Sequence, residues 1–263
     1  MKLNHGLATV IIGVAIAFSQ PEIAVTLTAQ DVGQIAKEIT VLISGPKLGT
    51  GVIIHRQGNT YTVLTNFHVV DQRGTYKVQT VDDRKYQSNL ITPVQSVDLA
   101  VLKFTSSEKY TVANIGNSDG VKEGATVYVA GFPKPKPASI SRSTYIFTDG
   151  KITGNAAELF KDGYGLVYSN ITLPGMSGGP VLNKKGQLIG VHGRGDGADG
   201  EHSKIGDKSG LNLGIPIKYF TTSEVGKNLG IITPTGLPPN AVRPLPFPGD
   251  EYFKDIPCPG RRC

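Results

Sequence analysis

The chain has 263 residues, 39% of them hydrophobic and 18% charged, a balance that excludes a disordered chain and a multi-span membrane protein and fits one large domain or two small ones. Lysine and arginine outnumber aspartate and glutamate by 27 to 21, a net charge of +6, yet the basic residues stand singly apart from Arg261-Arg262 and no aromatic-flanked basic motif accompanies them, so no nucleic-acid partner is expected. The 33 glycines and 17 prolines, with no tryptophan, exclude a fold of long helices and point to an all-β class.

The chain opens with one lysine, Lys2, followed at 7–18 by an uncharged apolar stretch. A spanning helix needs about 20 such residues, whereas the hydrophobic part of a signal peptide needs roughly 7 to 15. Residues 1–29 are therefore expected to be a signal peptide, with cleavage after Ala29 and Gln30 as the mature start. Ala15-Ile16-Ala17 also satisfies the small-x-small rule, and an uncleaved N-terminal anchor is the alternative. Either outcome places the folded part outside the cytoplasm, secreted or periplasmic, and processing would leave no stable membrane span. Losing Lys2 and Glu22 together keeps the charge at +6.

The folded unit is expected over 30–232. It begins with a helix at 30–37, and short β-branched runs then recur between glycine, aspartate and asparagine punctuation. Strands are predicted at 40–44, 51–55, 61–65, 76–81, 99–104, 126–131, 144–152, 165–171, 181–182, 188–192 and 211–217. One helical turn is predicted after His68, and a short C-terminal helix at 219–229. Two six-stranded antiparallel β-barrels would use this length. Loop 196–201, which holds Asp196, Asp199 and Glu201, lacks EF-hand spacing and reads as solvated.

Eight of the 17 prolines fall at 234–263. Proline removes backbone donors and locks φ, so 233–263 is expected to be an extended, partly polyproline-like tail, with a role as a ligand for a partner domain or in cell-wall attachment as one reading. Cys258 and Cys263 lie within it, and their spacing allows a small disulfide loop, pairing between chains, or two free thiols. No further metal ligands stand near them, so no metal or other cofactor is expected.

Three strings carry chemistry. Leu64-Thr65-Asn66-Phe67-His68-Val69-Val70 sets a histidine just after a strand, Ser96-Val97-Asp98-Leu99-Ala100-Val101-Leu102 an aspartate just before one, and Pro174-Gly175-Met176-Ser177-Gly178-Gly179-Pro180 a serine in a glycine-lined turn. A serine hydroxyl becomes a useful nucleophile when an imidazole takes its proton, and the imidazole needs a carboxylate to fix its tautomer. His68, Asp98 and Ser177 are therefore the candidate catalytic residues. The glycines allow backbone N–H groups to face a developing oxyanion, with the N–H groups of Gly175 and Ser177 as donors. Singly, each residue has a plain structural role: a histidine at a strand end, a turn aspartate, a tight turn.

With these strings in this order, the chain resembles trypsin-like, chymotrypsin-fold serine peptidases of the bacterial type. Gly49-Thr50-Gly51-Val52-Ile53-Ile54 and Ile115-Gly116-Asn117-Ser118-Asp119-Gly120 are similar to the protease domain of HtrA-like proteins, and the resemblance covers about 38–217. It implies two β-barrels flanking one cleft, an endopeptidase acting on protein or peptide substrates, and catalytic roles for His68, Asp98 and Ser177. The order differs from those of subtilisins and α/β-hydrolases. Two features depart from the pattern: Met176 replaces the aspartate that zymogens carry before the serine, and the tail is too short for a PDZ domain.

Thr172 and His192, five residues before and 15 after Ser177, resemble the substrate-pocket residues of glutamyl endopeptidases. That resemblance implies a preference for Glu, then Asp, before the cut, with an imidazolium assisting and Arg194 adding to the field. Those relatives also place their N-terminal amine in the pocket. A preference for small or aliphatic residues is the alternative, and Ile171 six residues before Ser177 argues against a basic one. An inactive binding protein on the same fold is the competing class.

Overall fold

The structure is a computed structural model that describes residues 27–88, 90–135, 144–195 and 210–234. Most of the expected signal peptide, the loop at 196–201, and nearly all of the proline-rich tail with Cys258 and Cys263 lie outside the described residues.

Helix α1 (Ala29–Ile39) starts where Thr28 and Asp31 form a reciprocal capping box, and it buries Val32, Ala36 and Ile39. The cap stands on the leader side of the expected boundary, so a mature start at Gln30 would cut through it.

Seven strands follow: β1 (Thr40–Ser44), β2 (Gly49–Gln57), β3 (Thr60–Thr65), β4 (Tyr76–Gln79), β5 (Lys85–Ser88), β6 (Ile91–Val94) and β7 (Leu99–Thr105). They form one antiparallel sheet in the order β5-β4-β1-β2-β3-β7-β6. Between β2 and β3 the chain turns on Gly58-Asn59, with Gly58 at φ +60, where glycine is favoured. The other six strands are β8 (Thr126–Gly131), β9 (Ile146–Asn155), β10 (Leu166–Tyr168), β11 (Pro180–Asn183), β12 (Leu188–Gly195) and β13 (Asn212–Pro216), which close into a barrel in the order β10-β13-β12-β11-β8-β9.

The all-β reading therefore holds, with one closed six-stranded barrel and one curled seven-stranded sheet where two six-stranded barrels were expected. The two unexpected strands explain the difference. β5 is polar, Lys-Tyr-Gln-Ser, and β6 carries Pro93; both sit at sheet edges, where a missing N–H or a weak apolar pattern is tolerated. The curl of the sheet brings Tyr86 of β5 onto Phe104 of β7, with ring centroids 4.9 Å apart, and Ser106 donates to the Tyr86 hydroxyl at 2.9 Å.

The continuous apolar runs arise because several strands are buried on both faces. In β2, Ile53 points into the first sheet's own core, while Val52 and Ile54 enter a larger core between the two sheets. β7 divides likewise, with Ala100, Leu102 and Phe104 on one side and Leu99 and Val101 on the other. In β8, Val127 and Val129 fill the closed barrel, while Tyr128 and Ala130 face the shared core. The shared core is what makes the halves one body.

At the C-terminal side the expected single helix is two, α3 (Lys218–Thr221) and α4 (Glu224–Asn228). Ser223 breaks them by capping α4, accepting from Gly226 N–H at 3.1 Å. An unpredicted 3₁₀ turn, Lys161–Gly163, precedes β10.

A single buried threonine of β2 ties the two halves at the site. Thr50 N–H donates to the Ser177 carbonyl at 2.8 Å, and its hydroxyl donates to the Gly175 carbonyl and accepts from Phe132 N–H, both at 2.9 Å. Thr50→Val keeps the volume but strands two buried backbone groups, and it is expected to cost about 2 to 4 kcal/mol in urea unfolding.

Candidate active site

Helix α2 (Phe67–Val70) is the helical turn expected at His68, although it starts one residue before that histidine. β3 pairs antiparallel with β7, Thr65 opposite Ala100, so the residues leaving β3 meet those entering β7. Phe67 N–H and the Asn66 side-chain amide both donate to the Asp98 carbonyl, at 3.2 and 2.9 Å. The Asp98 carboxylate takes two bonds from His68: the backbone N–H to Oδ1 at 2.9 Å, and Nδ1 to Oδ2 at 2.6 Å. A carboxylate at Nδ1 holds the proton there and leaves Nε2 as the ring's acceptor nitrogen. The His68 side chain is 40% exposed and that of Asp98 only 8%, so the carboxylate is sealed behind the imidazole. Burial pushes the Asp98 carboxyl upward, but its bonds from His68 and from the Tyr164 hydroxyl outweigh this and hold it below the usual carboxylate value.

The Ser177 turn belongs to the other half. Met176 N–H donates to the Leu173 carbonyl, Gly179 N–H to Met176 and Gly178 N–H to His192, whereas the N–H groups of Gly175 and Ser177 have no acceptor among the described residues. Gly178, at φ +91, lies so near β2 that a Cβ would come within 1.9 Å of the Thr50 carbonyl oxygen. Only glycine fits there. Met176 is fully buried in the closed barrel's core, so the position that carries an aspartate in zymogens is a packing position here.

Ser177 lines the same cleft as His68 and Asp98, a cavity of about 1360 Å³ between the halves. Its hydroxyl donates to the Gly193 carbonyl at 3.0 Å. The structure thus joins His68 to Asp98 directly and sets Ser177 at the same cleft with its hydroxyl on Gly193.

Thr172 and His192 also line this cleft. The Thr172 hydroxyl donates to the Asn212 side-chain carbonyl, and Asn212 in turn donates to the Asn170 carbonyl. His192 is almost wholly buried, with Nδ1 2.8 Å from the Tyr168 hydroxyl. Burial, and less so the charge on His68, lowers its pKa to about 3, so in the free protein the ring is neutral at neutral pH. The imidazolium implied by the glutamyl endopeptidase resemblance is thus not its resting form. Arg194 is engaged by the Asp162 carboxylate at 2.5 Å. Leu27, the first described residue, packs by the Gly186 turn, and no residue of α1 lines the cleft.

Three residues that act on the site were not singled out by sequence reasoning. Thr50 stands in the Gly-Thr-Gly string that carries the HtrA-like resemblance, without a role being legible there. Tyr164 is flanked by two glycines, and Asn212 sits in a strand; neither has a motif. Tyr164 donates to Asp98 Oδ2 at 2.6 Å.

Comparison with known proteins identifies the family. The family model for a trypsin-like peptidase domain matches residues 49–191, more than half of the chain. The chain is 28% identical to the Serine protease Do-like HtrA of Bacillus subtilis over 175 residues, 64% of this chain and 36% of that protein. It is 30% identical to the Probable periplasmic serine endoprotease DegP-like of Marinomonas sp. over 173 residues, 65% and 33% of the two chains. With the Magnetosome formation protease MamE of Paramagnetospirillum magneticum it shares 27% identity over 191 residues, 68% and 24%. The chain therefore spans about a third or less of the length of these curated relatives.

Because the Asp98 carboxyl titrates lower in the folded chain than in the unfolded one, the stability it contributes is complete above the ordinary carboxylate value and is lost as pH falls through the folded value. In urea unfolding from neutral to strongly acidic pH, the deficit of Asp98→Asn relative to the unsubstituted chain is expected to narrow only below about pH 4.

Proposed function

The chain belongs to the trypsin-like peptidase family, and from that membership we propose that it is a serine endopeptidase in which Ser177 attacks the peptide carbonyl, His68 is general base then acid, and Asp98 orients and stabilises His68. The observation that carries this is the His68 Nδ1 to Asp98 contact of 2.6 Å, beside a cleft shared with Ser177.

As substrate enters, the Ser177 hydroxyl leaves the Gly193 carbonyl and turns to His68 Nε2. Its oxygen bonds to the carbonyl carbon while its proton passes to Nε2. The negative charge that forms on the substrate oxygen falls to the N–H groups of Gly175 and Ser177, which have no acceptor among the described residues. The buried Asp98 carboxylate stabilises the imidazolium, which then protonates the leaving amine. Water follows the same path in reverse to release the acyl group. No step draws on a cofactor.

We also propose that Thr172 and His192 form the pocket for the residue before the cut, with a carboxylate side chain as its preferred occupant. A hydroxyl and an imidazole on the wall of the Ser177 cleft support this. Since His192 rests neutral, a bound carboxylate has to favour its protonation, and the preference should strengthen as pH falls.

The substrates are protein or peptide chains, with no nucleic-acid partner, and the place of action is outside the cytoplasm. The leader-like residues 1–29 support export, as does a relative named as periplasmic. Among the described residues, no helix is long and apolar enough to cross a membrane.

Peptides differing only in the residue before the cut test both readings. Ser177→Ala is expected to lower kcat/KM at least about a thousandfold with folding retained. Cleavage after Glu is expected to be fastest, with a Glu over Gln advantage that grows from about pH 8 to about pH 6. Faster cleavage after Val or Lys would overturn the pocket assignment, and an undiminished rate in Ser177→Ala would overturn the serine mechanism.

A further inference from the structure

Asp98 Oδ2 accepts two hydrogen bonds of equal length. One comes from His68 Nδ1, the other from the hydroxyl of Tyr164, each at 2.6 Å. We propose that Tyr164 is a positioning residue for the candidate catalytic pair: its hydroxyl fixes the Asp98 carboxylate against His68 and sets how much of the carboxylate charge the imidazole feels. This rests on the serine peptidase reading above.

The placement of Tyr164 is over-determined. Asp98 N–H donates to the Asp162 carbonyl at 2.8 Å, bringing the 3₁₀ turn onto the residue that Tyr164 serves. Gly163, at φ +90, presses so close to Val97 that a Cβ would stand 2.5 Å from its Cγ1. On the other side, Gly193 leaves room for the phenol, since a Cβ there would reach within 2.2 Å of the Tyr164 hydroxyl. Arg194 then closes the arrangement: its guanidinium lies 4.6 Å from the Tyr164 ring centroid and pairs with the Asp162 carboxylate. The ring is wholly buried. A tyrosine needed only for packing would not require its hydroxyl to be aimed at the one carboxylate oxygen that already serves His68.

Burial first, and the Asp98 charge beside it, push the Tyr164 phenol far above the ordinary tyrosine range, so it stays a donor at any working pH. A donor on Oδ2 draws off part of the negative charge that would otherwise stabilise a protonated His68. Without it, more charge faces the imidazole, and the pair binds its proton more tightly. Among the described residues, the other charged or titratable groups around the pair are His192, uncharged above about pH 3, the Arg194–Asp162 pair, Lys47, which donates to the His68 carbonyl and pairs with Asp71, and Lys134, which lines the same cleft.

Tyr164→Phe removes the hydroxyl and keeps the ring. The measurement is the rate of inactivation by a fluorophosphonate as a function of pH, which reports Ser177 activation without depending on substrate preference. Retained folding is checked by the far-ultraviolet circular dichroism and thermal midpoint of the same samples. In Tyr164→Phe the acidic limb is expected at higher pH than in the unsubstituted chain, with a plateau rate about tenfold lower, the scale of one lost charge-assisted hydrogen bond. An acidic limb at the same pH, whether or not the plateau falls, would overturn the proposal and leave Tyr164 a packing residue. If the unsubstituted chain itself took no fluorophosphonate on Ser177, the serine peptidase reading would be at fault.

Discussion

The pairing of β3 with β7 is the constraint from which the site follows. With Thr65 opposite Ala100, the backbone leaving β3 must pass the backbone entering β7 within hydrogen-bonding distance, and four bonds link residues 66–68 to Asp98 there. A slip of one residue would flip the side chains to opposite faces and separate the pair. The register is secured because both strands are buried on two sides, with alternate residues committed to different cores. The shared core between the sheet and the barrel then brings up the Ser177 turn, and Thr50 fastens it through three backbone groups.

The electrostatics divide along the same lines. Asp98 is a buried carboxylate whose charge is kept by donors from His68 and Tyr164, so the low-dielectric site favours ionisation only because those donors are in place. His192 is buried with the Tyr168 hydroxyl as its partner and, among the described residues, no carboxylate bonded to it, and it stays neutral at neutral pH. Two histidines beside one cleft thus have different surroundings, His68 half-exposed with a carboxylate on Nδ1 and His192 buried and neutral.

The all-β class and eleven of the thirteen strands among the described residues were legible because β-branched runs between glycine and asparagine punctuation are a local signal. β5 and β6 were not, because edge strands need neither an apolar face nor a full set of donors; one is polar and the other holds Pro93. The C-terminal helix was expected as one piece over 219–229, and Ser223, which caps α4, divides it. That His68, Asp98 and Ser177 would be the candidate residues was legible because they sit in strings tied to strand ends and a glycine turn, and the structure brings all three to one cleft. Tyr164 and Thr50 were not, because a buried hydroxyl carries no sequence signature of where it points. The neutral state of His192 was hidden for a related reason, since burial belongs to the fold and not to the residue type.

The proposed chemistry makes Ser177 the nucleophile and His68 its base. Mapping the adduct of a fluorophosphonate probe by peptide mass spectrometry tests it most directly. One phosphonyl group is expected on the peptide that contains Ser177, and it should be lost in a folded His68→Ala variant. An adduct on a different serine, or equal labelling of Ser177 without His68, would contradict it.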